Sequence, residues 1–243
     1  MAVRPGVPTD APSTGGRVGP EPGPSVDVIE ERLDGVRERI GAAAGGRGGI
    51  KVVAVTKGFA PPVVAAAVEA GLTDLGENYA QELVAKALGA PPSVRWHFLG
   101  ALQRRRVPSL APHVAMWESM DRAEAANMVA VRQPGAAVLI QVNVVGDPGK
   151  LGCAPSDAPK LVEHCRGLGL DVRGLMTVGP AEDLEGARRC FAELAAMADD
   201  LDLAELSMGM SDDYEIAVAE GATSVRLGRA LFGPRPGAGR PRR

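Results

Sequence analysis

The sequence predicts a single (β/α)8 barrel, an α/β fold of the TIM type, and three observations carry that prediction. Eight short apolar runs recur along the chain, stretches of helical spacing separate them, and no glycine fingerprint follows the first run. Runs that are apolar throughout suit strands covered on both faces, as in a parallel sheet. Eight such units in roughly 200 residues argue for a closed barrel. An open doubly wound sheet is the alternative. It usually carries a glycine-rich turn after its first strand, where this chain reads TKGFAPP.

A first helix is expected from Val26 to Gly41, because Ile29, Leu33, Val36 and Ile40 fall on one helical face. Strands are expected at Lys51–Thr56, Leu72–Leu75, Trp96–Leu99, Ala115–Glu118, Ala137–Val142, Val172–Met176, Ala204–Met208 and Ser224–Leu227. Among the intervening helices, Pro159 opens one through Leu161, Val162, Cys165 and Leu168. Ala187, Cys190, Phe191, Leu194 and Ala198 mark another. Residues 1–25 and 234–243 are rich in Pro and Gly, with few apolar residues to bury, and are expected to be disordered tails around a barrel spanning 26–233.

A chain of 243 residues suits one barrel domain. Aromatic residues make up only 3%, so Val, Leu, Ala and Met must fill the core. The formal net charge of -3 gives no reason to expect nucleic acid as a partner. Cys153, Cys165 and Cys190 form no C-x-x-C pair, which speaks against a disulfide framework and suits a reducing cytoplasm. No apolar run reaches membrane-spanning length, and the first residues lack the apolar core of a signal peptide.

Active sites of such barrels sit at the C-terminal ends of the strands. Lys57 stands at the end of the first. Partial burial lowers a lysine pKa, and a neutral amine can attack an aldehyde to form an imine; a lysine that snorkels to water is the plain alternative. The loops after strands seven and eight commonly form a barrel's phosphate site. Here Gly209-Met210-Ser211-Asp212-Asp213 and Gly228-Arg229-Ala230 open helices whose first amides and glycines suit an anion. Ser211 is also an ordinary N-cap residue. Asp212 and Asp213 would repel a phosphate and are expected to face outward. His97, beside Trp96, is expected to be a hydrogen-bonded structural residue. His113 and His164 lack ligand spacing, so no metal site is expected.

The segments AVTK (54–57), GENYAQEL (76–83), WHFLGALQ (96–103), IQVN (140–143), KLG (150–152), GLMT (174–177), LSMGMSDDYEIAVAEGAT (206–223) and VRLGRALFG (225–233) resemble, in order and spacing, the pyridoxal phosphate homeostasis protein family. The resemblance implies a fold-type III barrel without the second β-domain of alanine racemases. It also implies pyridoxal 5′-phosphate held as a Schiff base on Lys57, with Ser211, Arg226 and Gly228 around its phosphate and ring and Asn78 nearby. Two departures stand out. Arg104, Arg105 and Arg106 follow Gln103 where the family carries a pattern close to x-N-K. Arg229 follows Gly228 where the family commonly has threonine, leaving the Arg229 amide, and its guanidinium if it turns inward, to meet the anion.

On this resemblance the chain carries or buffers the cofactor, as a monomer, with pyridoxal-dependent apoenzymes as recipients. An arginine facing the ring nitrogen donates only, so the nitrogen stays unprotonated and the electron sink is weak. The chain ends ten residues after Gly233, which leaves no room for a second domain to supply a base. Two alternatives remain open: a pyridoxal-dependent racemase or decarboxylase using Tyr79, His97 or Tyr214 as base, and a phosphate-binding barrel enzyme unrelated to pyridoxal.

Overall fold

The computed structural model describes residues 23–180 and 182–235. It shows a closed barrel of eight parallel strands in sequential order, with β1 completing the ring against β8. The strands are β1 Lys51–Val55, β2 Asp74–Glu77, β3 Arg95–Phe98, β4 Val114–Met120, β5 Ala137–Gln141, β6 Asp171–Met176, β7 Glu205–Ser207 and β8 Ser224–Leu227. The helices are α1 Val26–Ala43, α2 Pro62–Glu69, α3 Ala80–Ala87, α4 Val107–Leu110, α5 Ala123–Arg132, α6 Ala158–Gly167, α7 Leu184–Asp200, α8 Tyr214–Ala219 and α9 Arg229–Phe232. Among these residues no helix is long and apolar enough to cross a membrane. The tails expected at 1–25 and 234–243 lie almost wholly outside the described residues.

The first helix buries the face its spacing predicts: Ile29, Leu33, Val36 and Ile40. The eighth strand falls where its apolar run places it. The second does not. It was expected at Leu72–Leu75 and begins at Asp74. Leu72 instead completes the end of α2, its amide donating to the Ala67 carbonyl across Gly71, which has φ +83°. With the Gly71 amide donating to the Val68 carbonyl, this is the Schellman helix stop, in which the residue after the glycine turns its apolar side chain back onto the helix. An apolar residue spent on a cap reads in sequence like the start of a strand.

The main core fills the layer between barrel and helices, built mostly from Leu, Val, Ala and Ile. Fully burying such a side chain stabilises the fold by about 1.5–3 kcal/mol for the larger ones. Aromatics are few, and one pair joins two distant parts of the chain. Phe59, after β1, meets Phe232 of α9 at 5.8 Å between ring centroids, joining the loop after the first strand to the last helix. Inside the barrel, Met116, Ala137, Leu139 and Met176 form a small separate cluster. The side chains of Asp74, His97 and Glu118 are also buried and hydrogen-bonded in line, and Ser207 links Glu118 to the buried Arg226.

Candidate functional site

Lys57 stands two residues beyond the end of β1, after Thr56, and is half-buried. Its two neighbours are held from α3. The Thr56 carbonyl accepts from Lys86 Nζ at 2.7 Å, and the Gly58 amide donates to Glu82 Oε2 at 2.7 Å. Lys86 itself is buried and donates to Glu77 Oε1 at 2.5 Å, an oxygen that also accepts from the Thr56 hydroxyl at 2.6 Å. Burial pushes the Glu77 carboxyl up, against the pull of Lys86 and Thr56. Burial lowers the Lys57 pKa, helped by the positive charges of Arg235 and Arg226 and opposed by Glu77 and Glu82. Arg235, expected within the second tail, lies against Gly58. This bracket of Glu77, Glu82 and Lys86 escaped the sequence reading. The one signal for it was the helical i,i+4 spacing of Glu82 and Lys86.

The β1–β8 register pairs Ala54 with Leu227, so Gly228 lies alongside Val55, two residues before Lys57. Gly209 has φ +92°, and a Cβ there would fall 2.6 Å from the Ala217 Cβ, so only glycine lets this loop lie against α8. Ser211 spans the two loops: its hydroxyl accepts from the Ala230 amide at 3.1 Å. It is therefore a tie between the loops after β7 and β8 and not the cap of α8.

Two expectations are corrected here. Asp213 does not face outward. It is buried, and its Oδ1 accepts from the Met210 amide at 2.6 Å, which folds the loop back on itself. Arg229 turns its guanidinium to the exposed Asp212, so it offers the mouth its backbone and not its charge. Asn78 follows β2 at the mouth; its Oδ1 is buried and finds no partner among the described residues, and the same is true of Asn143 Oδ1 after β5. Buried acceptors of this kind require a donor from water or a bound molecule.

The proposed bases do not gather at the mouth. Tyr214 is buried in the outer layer near Arg39 and Glu215. His97 lies inside the barrel. Tyr79, half exposed just before α3, is the one left on the rim. Arg104 and Arg105 are exposed in the turn before α4 and not on a helix face.

Beneath the mouth runs a row of buried polar groups. Arg226 donates from Nη2 to the Thr177 carbonyl at 2.7 Å and from Nη1 to Ser207 Oγ at 2.8 Å. Ser207 donates to Glu118 Oε2 at 2.5 Å. Glu118 Oε1 meets His97 Nδ1 at 2.5 Å, and His97 Nε2 meets Asp74 Oδ1 at 2.9 Å. Arg95 holds both oxygens of Asp74, at 2.7 and 2.8 Å. An ionised carboxylate only accepts, so a histidine between two of them donates from both nitrogens and is an imidazolium. Burial alone would lower the His97 pKa, but the two carboxylates outweigh it and raise it. Burial likewise opposes the ionised forms of Asp74 and Glu118, yet His97 with Arg95 holds Asp74 at about 2, and His97 with Arg226 holds Glu118 below its usual range.

These shifts set a pH profile. The His97 contribution to stability is complete below its ordinary value of 6.5 and is lost as pH rises through its higher folded value. The carboxylate contributions are complete above 4.5 and are lost as pH falls, toward about 2 for Asp74. Urea unfolding across pH is expected to show this cluster contributing most between 4.5 and 6.5. His97→Gln should flatten the alkaline limb; an unchanged limb would refute the imidazolium assignment.

Residues 26–236 match the family model described as "Alanine racemase, N-terminal domain". The chain is 42% identical over 207 residues to the pyridoxal phosphate homeostasis protein of Deinococcus radiodurans, covering 82% of this chain and 97% of that one. It is 35% identical over 216 residues to the human protein of that name, covering 79% and 78%. PipY of Synechococcus elongatus, solved with PLP bound, superposes with a TM-score of 0.75 at 30% identity, covering 84% of this chain and 100% of PipY. The chain belongs to the pyridoxal phosphate homeostasis protein family.

Proposed function

We propose that this protein binds pyridoxal 5′-phosphate covalently through Lys57 and serves intracellular vitamin B6 homeostasis as a carrier or buffer. The observation that carries the reading is Lys57 itself: a half-buried amine of lowered pKa, one strand from the glycine loops that Ser211 ties together. The relatives' shared name and the PLP bound to PipY support it. The residues fit the group. Ser211 and the backbone at Gly228 and Arg229 would hold the phosphate, Arg226 would face the ring, and the orphaned Asn78 Oδ1 would take a donor. When bound, the group supplies the aldehyde for the link to Lys57 and an electron-accepting ring.

Arg226 argues for carriage over turnover. A guanidinium keeps its proton, so toward a ring nitrogen it donates and does not protonate. One N–H on each of its two Nη groups is already committed, to Ser207 and to Thr177. Recipients on this reading are pyridoxal-dependent apoenzymes, and the protein acts as a cytoplasmic monomer. Its three free cysteines suit a reducing compartment.

The test is titration of the protein with pyridoxal 5′-phosphate and with pyridoxal, then borohydride reduction and peptide mapping. A pyridoxyl group on Lys57 and much weaker binding of pyridoxal are expected. Equal affinity for the two would remove the phosphate site. Chiral chromatography after incubation with amino acids should show little racemisation; turnover near roughly 10 per second would make the protein a racemase.

A further inference from the structure

We infer that Glu118, acting through Ser207 and braced by His97, is a positioning residue that orients Arg226 toward the ring nitrogen of the bound cofactor. The inference rests on the cofactor reading above and adds residues that reading does not use.

The hydrogen bonds fix the direction of the chain. Ser207 has one proton, and it goes to Glu118 Oε2. Its lone pairs therefore face Arg226 Nη1, which donates to them. Glu118 meets the guanidinium only through Ser207, and its other oxygen faces His97. His97 is held in turn by Asp74, and Asp74 by two contacts with Arg95 at the start of β3. Strands β2, β4 and β7 thus contribute one member each, and β3 two, to a row that ends on β8 at Arg226.

The second Nη group is fixed independently, by the Thr177 carbonyl that follows β6. Two bonds from two different strand ends set the plane of the guanidinium. The carboxylates whose charge reaches Arg226 are Glu118 and Asp213, and Asp213 is occupied with the Met210 amide. A direct Arg–Glu pair would have compensated the charge more simply. Interposing a serine leaves Arg226 oriented yet not enclosed by a carboxylate, which keeps its remaining N–H groups for a neutral nitrogen acceptor.

The test separates orientation from mere support. Affinity is measured for pyridoxal 5′-phosphate and for the analogue with carbon in place of the ring nitrogen, since both carry the aldehyde and the phosphate. The wild type should prefer the natural compound on the order of tenfold, as for a hydrogen bond to a charged donor. Glu118→Gln and Ser207→Ala should each reduce that preference several-fold while borohydride still traps both compounds on Lys57. In the cofactor-free protein, Ser207→Ala should also shift the Arg226 side-chain N–H resonances. An unchanged preference in Ser207→Ala overturns the inference, even if Glu118→Gln fails to fold. Loss of affinity for both compounds in equal measure overturns it too, because that is what a merely structural role predicts. Absence of trapping on Lys57 in the wild type is a different result: it removes the cofactor reading and this role with it.

Discussion

A Lys57→Ala variant is expected to show no near-ultraviolet or violet absorbance band after incubation with pyridoxal 5′-phosphate, and borohydride should leave no pyridoxyl group on it. The expected effect is complete because the absorbance reports a covalent bond and not a contact. Burial lowers the Lys57 pKa, and Arg235 and Arg226 add to the effect, so more of the amine is neutral and nucleophilic than in an exposed lysine. Its backbone is fixed on both sides, by Lys86 at the Thr56 carbonyl and by Glu82 at the Gly58 amide. Lys57→Arg separates charge from chemistry. It keeps a cation at the mouth and should retain some phosphate affinity, but it cannot form the band. A band that survives in Lys57→Ala and maps to another lysine would sink the assignment.

The sequence was informative where local rules decide structure. The stripe of Ile29, Leu33, Val36 and Ile40 marks α1 because a helix buries one face, and the same residues are buried in the structure. The apolar run Ser224–Leu227 marks β8, although its one charged residue, Arg226, points into the barrel row. The places of Lys57, Ser211 and Gly228 beyond the ends of β1, β7 and β8 were legible because the apolar runs mark where those strands end. Pairings between distant residues were not legible. Asp74 and Glu77 make β2 look like a poor strand, since their charges are answered by His97 and Arg95 in one case and by Lys86 in the other. No periodicity records a partner 21 to 23 residues away. Asp213 failed for a related reason. Repulsion from an anion argued for facing it outward, but a free Met210 amide inside a tight loop needs an acceptor, and Asp213 is the nearest.

The same long-range pairing gives the largest expected loss of stability. Lys86→Met should destabilise the protein by about 3–5 kcal/mol, the usual cost of leaving one partner of a buried ion pair alone. That is a large share of a total of about 5–15 kcal/mol. Methionine fills similar volume, so the effect is not a cavity. Lys86 makes contacts at 2.7 Å to the Thr56 carbonyl, 2.5 Å to Glu77 and 3.5 Å to Glu82, and its side chain is 2% exposed. Without it, Glu77 keeps only the Thr56 hydroxyl, and its Oε2 already lacks a partner among the described residues. Two further measurements separate an uncompensated charge from general damage. Adding Glu77→Gln to Lys86→Met should recover much of the loss, since the double variant no longer buries a lone carboxylate. The deficit of Lys86→Met should also narrow as pH falls. Burial raises the Glu77 pKa, removing Lys86 raises it further, and protonation then neutralises the charge in the folded state before the unfolded chain titrates. Urea unfolding of the wild type and both variants across the acid range reads all three effects. A pH-independent deficit would mean that the ammonium serves as a hydrogen-bond donor to Thr56 alone, and that the backbone before Lys57 is held without help from the charge of Glu77.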